Sequence, residues 1–146
     1  MKLTLPADNM HADMVESMRW ALTTGRLQEG KIVNAWQPEK IFEAKTIGGE
    51  RALGLEAEIG SLAVGKRADL VLFDFRRPCL CALINVLGTL VHTAQGRDVD
   101  MVIVEGEVVV PGGEPLRVDK MAVSEAAVTA AAALWRRARA EQAGQL

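Results

Sequence analysis

The chain has 146 residues, 49% of them apolar, with 17 basic against 19 acidic side chains and a net charge of −2. That is one domain's worth of core, and the near-neutral balance excludes the basic footprint of a nucleic-acid-binding surface. Cys79 and Cys81 stand one residue apart. They would point to opposite faces of a strand and offer no disulfide framework, so a reducing cytoplasm is the expected compartment. The opening MKLTLPADNM lacks the apolar run of a secretion signal. No stretch reaches the roughly 18 apolar residues of a membrane span.

In chain order, residues 3–8 read as a short strand that Pro6 keeps from continuing as a central one. Asp8 or Asn9 is placed to cap a helix predicted over 10–28, with Met14, Met18, Ala21 and Leu22 at helical spacing and Gly30 as its stop. WQPEKIFEAKTIGGERALGL predicts two short helices. Pro38 suits a first helical position, Gly48 and Gly49 punctuate, Thr46 caps the second helix and Gly54 ends it. The texture then changes. Gly60 and Gly65 mark turns before a dense apolar strand over 70–73, and INVLGTLVHTA predicts a short helix. VDMVIVEGEVVV is a hairpin signal, two β-branched runs around Glu105 and Gly106. A last helix is predicted over 119–141, with Val123, Ala127, Ala131, Leu134 and Ala138 on one stripe.

Few residues suggest chemistry directly. The histidines are two, His11 and His92, and they form no His-x-His pair or Cys/His cluster at ligand spacing. His11 reads as a solvated residue of a first helical turn, and His92 as a packed or half-exposed one. Lys66, Arg67 and Asp69 read as a solvated turn with a local ion pair, worth about 0–1 kcal/mol. Ser61 has no His or Asp partner in pattern to make it a nucleophile. Met10, Met14 and Met18 read as core. Asp8 reads first as a helix cap.

Three motifs in order carry a resemblance: WQPEKIFEAKTIGGERALGL, IGSLAVGKRADLVLFD and VDMVIVEGEVVV. Over residues 5–139 the chain resembles the C-terminal part of the amidohydrolase superfamily, on the branch of chlorohydrolases, aminohydrolases and deaminases. The resemblance implies an α+β fold cut from a (β/α)8-barrel enzyme. Residues 1–55 would be a barrel remnant, with the eighth strand over 3–8. Residues 56–118 would be the C-terminal half of a composite β-sandwich, and residues 119–146 a closing helix. It further implies a zinc- or iron-dependent hydrolase of C–N or C–Cl bonds in small heterocycles. The family's site resembles four histidines plus an aspartate, and only Asp8 matches it, as the catalytic and metal-adjacent carboxylate. Pro6-Ala7 departs from the Gly-Thr or Gly-Ser that usually precedes this aspartate. Lys45 and Glu50 replace small residues and look like surface changes.

Three readings follow for this chain: a fragment that is inactive and holds no metal alone, a self-associating structural module, or one part of a split hydrolase. A missing N-terminal barrel chain would supply the other ligands of a metal at Asp8. No nucleic acid or membrane partner is expected. The helix face of Met14, Met18 and Leu22 would lose its partners with the missing barrel strands, and the strand over 70–73 with the missing N-terminal half of the sandwich, so a homodimer or higher oligomer is expected.

Overall fold

A computed structural model describes residues 4–5, 13–81 and 83–143. The chain divides into two compact units, Met1–Glu114 and Pro115–Leu146.

In the first unit, helix α1 spans Met14–Glu29. Its N-cap is Asp13, whose carboxylate accepts from the Val15 and Glu16 amides at 2.8 and 3.1 Å. The expected cap at Asp8 or Asn9 is therefore corrected to Asp13, and those two residues lie outside the described ones. Gly30 ends the helix in the left-handed region, at φ 64°. Helices α2 (Pro38–Lys45) and α3 (Ile47–Leu53) follow, with Pro38 at the first helical position and Gly54 at φ 75° closing α3. Two expectations fail here. Gly48 and Gly49 lie inside α3 rather than between elements. Thr46 sits at the N-cap position, yet its hydroxyl donates backwards to the Phe42 carbonyl at 2.8 Å and caps nothing.

Helix α4 covers Val86–His92. It packs with α1 and α2 into a three-helix layer that holds the core. Met18, Leu22, Ile41, Leu80, Leu90 and Val91 are buried there. This corrects the expectation that the α1 face lacks partners: Met18 and Leu22 are covered by their own unit, and only Met14, 50% exposed, is not. Helix amphipathicity marks which face is buried but not what buries it.

The sheet is antiparallel, in the order β1 (Leu70–Phe73), β2 (Val99–Val104), β3 (Glu107–Pro111). Leu70 faces Ile103 across β1 and β2, and Val102 faces Val110 across β2 and β3, each pair of strands carrying one register shift. The hairpin turns on Glu105 and Gly106, both at positive φ, 52° and 83°. That is the backbone twist two-residue hairpins favour. Glu105 adopts it without glycine's freedom, and its amide donates to the Asp69 carboxylate at 2.7 Å. No strand residue is fully buried.

Of the expected barrel strand over 3–8, only Thr4 and Leu5 are described, and neither is in a strand. The second unit carries helix α5, Lys120–Ala143. Asp119 caps it, accepting from Met121 and Ala122 at 2.9 and 3.0 Å. Its large apolar residues Val123, Val128, Leu134 and Trp135 are exposed. The fold is thus α+β, with a three-stranded antiparallel sheet and a long C-terminal helix. Among the described residues, no helix is long and apolar enough to cross a membrane.

Candidate functional site

Asp8 and His11, the first residues the sequence singles out, lie outside the described residues. His92 closes α4 and is exposed. It borders a polar groove of about 500 Å³ shared with Arg26, Gln37, Glu39, Asn85 and Thr89. The cation in this groove is already committed: Arg26 donates to the Trp36 carbonyl at 3.1 Å and to Gln37 Oε1 at 3.3 Å. The arrangement ties α1 to the start of α2.

The charged turn is likewise structural. Lys66 Nζ donates to the carbonyls of Glu56 and Ile59 and to the Ser61 hydroxyl. Arg67 pairs with Glu58 at 3.2 Å and Glu105 at 2.9 Å, all three side chains about half exposed. Ser61 thus faces an ammonium donor rather than a base. Cys79 and Cys81 are free and exposed.

Two sites escaped the sequence reading. The first is a clamp across the start of α1. Asp13 Oδ2 accepts from the Gly96 amide at 2.8 Å while its Oδ1 caps the helix, and Arg19 donates to the Ala94 carbonyl at 2.5 Å. Burial alone would push the Asp13 carboxyl up. The amides of Gly96, Glu16 and Val15, with Arg19 nearby, outweigh it and hold the carboxyl below its ordinary value. Nothing in the local sequence tells Asp13 from Asp8 as the cap; the Gly96 amide, 83 residues on, does.

The second site corrects the reading of Lys45 and Glu50 as surface changes. Lys45, the last residue of α2, is half-buried, and its Nζ donates to the Leu5 carbonyl at 2.7 Å. Burial depresses its basicity. Glu50 Oε2 is buried without a hydrogen-bond donor, against the Gly60 turn. A substitution that looks superficial in sequence can fill a gap between distant segments, and only the fold reveals the gap.

A hydrolytic metal site needs three or more N or O ligands with one position open for water. Among the described residues, no three His, Cys, Asp or Glu side chains gather to hold an ion. Three of their carboxylates serve other partners. Asp13 serves amides, Asp74 pairs with Arg76 at 2.8 Å, and the buried Asp98 pairs with Arg77 at 3.1 Å. The described residues therefore do not fit a catalytic zinc or iron by themselves, and no chemical step runs through one here.

Comparison with known proteins gives this arrangement a context. A family profile described as the Amidohydrolase family matches residues 5–109. The chain is 43% identical over 117 residues to a 5-methylthioadenosine/S-adenosylhomocysteine deaminase of Desulforudis audaxviator, covering 80% of this chain and 27% of that protein. It is 35% identical over 134 residues to a 5'-deoxyadenosine deaminase of Methanosarcina acetivorans, covering 92% of this chain and 30% of that one. Among solved structures, a zinc-bound adenosine deaminase from Xanthomonas campestris superposes with a TM-score of 0.71 at 31% identity, over 85% of this chain and 27% of that chain. A zinc-complexed atrazine chlorohydrolase from Arthrobacter aurescens shares the fold at TM-score 0.66 and 18% identity, over 79% of this chain and 25% of that one. The chain thus spans between a quarter and a third of the length of the relatives it matches.

Proposed function

The chain belongs to the amidohydrolase family, and from that premise we propose that it is the C-terminal part of a hydrolytic deaminase acting on an adenosine-type nucleoside, unable to turn over alone. In such a reaction water replaces the exocyclic amino group of the ring and ammonia leaves, so a C–N bond is hydrolysed. The observation that carries the reading is the 43% identity over 117 residues with a deaminase of methylthioadenosine and S-adenosylhomocysteine. The metal, zinc or iron by family resemblance, would need ligands from other barrel strands. This chain would contribute Asp8 as the carboxylate that moves the proton of the attacking water. The helical layer of α1, α2 and α4 would be the frame behind it.

The test is ammonia release from adenosine and 5'-methylthioadenosine. The purified chain with added zinc is expected to release none. Mixed with a separately expressed N-terminal three-quarters of the Desulforudis enzyme, it is expected to restore release, and Asp8→Asn to abolish it again. Turnover by the chain alone, with stoichiometric zinc after dialysis, would overturn the proposal.

A further inference from the structure

We propose that Lys45 is a positioning residue: its Nζ holds the Leu5 carbonyl at 2.7 Å and so fixes the main chain three residues ahead of Asp8. The contact joins residues 40 apart in sequence, the end of α2 and the segment that precedes α1. Leu5 has a second anchor, since its side chain packs against the core cluster of the helical layer. A residue held by both its side chain and its carbonyl has little freedom to rotate or slide.

The chemistry at Lys45 also favours a tether over a chance contact. A half-buried ammonium loses hydration, which disfavours its charged form unless acceptors replace the lost water. Among the described residues, Lys45 pairs with no carboxylate, and its acceptor is the Leu5 carbonyl. An apolar side chain would fill the same space at less desolvation cost and would leave that carbonyl without its donor. Lysine carries three N–H donors and no acceptor, so its head group can serve only groups such as this carbonyl. The role of Asp8 in this inference rests on the function proposed above; the tether itself does not.

The experiment measures the Leu5 carbonyl 13C shift and the 15N order parameters of Thr4 and Leu5 by NMR in the 146-residue chain and in Lys45→Ala, Lys45→Met and Lys45→Arg. The groups that report are the Leu5 carbonyl, which accepts the Lys45 bond, and the Thr4 and Leu5 amide vectors beside it. Loss of the charge-assisted hydrogen bond is expected to shift the Leu5 carbonyl resonance and lower the Thr4 and Leu5 order parameters in the Ala and Met variants, with Val15, Met18 and Leu22 in α1 unchanged. Lys45→Arg, which keeps a cationic donor, is expected to restore most of the order. Four outcomes overturn the proposal: low order parameters at Thr4 and Leu5 in the unsubstituted chain, no change in Lys45→Ala, unchanged shift and order in Lys45→Met, or an equal loss of order across α1 and the sheet. Because no turnover is read, a failure here is distinct from a failure of the deaminase reading.

Discussion

Asp13 shows how much one carboxylate can organise. It satisfies two orphan amides of α1 and one amide of the distant 94–98 segment. Asp13→Ala is expected to cost about 1–2 kcal/mol in chemical denaturation, the range of strong N-caps. Asp13→Asn, which keeps an acceptor at the cap, is expected to lose less. The sign of the pH dependence follows from the lowered carboxyl pKa. Below the ordinary value of 3.8 the unfolded chain takes up this proton before the folded one does, so the stability Asp13 contributes drains away as pH falls through the folded pKa. The gap between wild type and Asp13→Ala should therefore be constant near neutrality and close in acid. Lys45 runs the other way. Its folded pKa is lowered by burial, so as pH rises through the folded pKa the unfolded chain holds the proton longer and folding gains stability up to 10.5. Lys45→Met should remove that gain in a series of urea titrations.

At the scale of elements, α1 and α3 contain glycines of opposite meaning. A Cβ at Gly25 would run into the ring of Trp36, whereas one at Gly49 would meet nothing within 4 Å. Helix propensity alone favours alanine at either site by up to about 1 kcal/mol. Gly49→Ala should realise that gain. Gly25→Ala should instead destabilise by about 1–2 kcal/mol, because overpacking costs more than propensity returns. Thermal melts of the two variants shifting in the same direction would refute this account. The pair also marks the limit of what sequence reveals. The strand at 70–73, the hairpin and the helices opening at Pro38 and near 119 were legible, since periodicity, β-branched runs and Pro or Gly stops are local signals. The Gly48-Gly49 stop was misread because glycines in a first helical turn resemble a break, and only packing against α2 decides between them. The Asp13 clamp, the buried Asp98 and the Lys45 tether were hidden for one reason: their partners, or the elements that bury them, come from far along the chain or from the fold itself.

The first unit has a helical layer with a fully buried centre and a sheet without one. Ile41, Val91 and Leu80 are almost fully buried, while Val71 is 54% exposed and every strand residue keeps some contact with solvent. Among the described residues, β1 and β3 each leave one edge unpaired, and such edges are templates for another strand. In relatives of which this chain spans only 27%, other segments are available to cover such surfaces. For the 146-residue chain in isolation, a further copy of itself is available to do so. We propose that it self-associates through the sheet, with Met18 and Leu22 playing no part because their own unit already covers them. Two-fold closure is the commonest arrangement for such pairing, and an interface above about 1,000 Å² would be needed to hold it. Sedimentation velocity at micromolar concentration should show a species heavier than 15.8 kDa. Val71→Lys, which sets a charge on an exposed position of the outer strand, should return it to a monomer with an unchanged circular dichroism spectrum. A wild-type chain that sediments as a monomer at every concentration would dispose of the self-association, and an oligomer indifferent to Val71→Lys would move the contact away from β1.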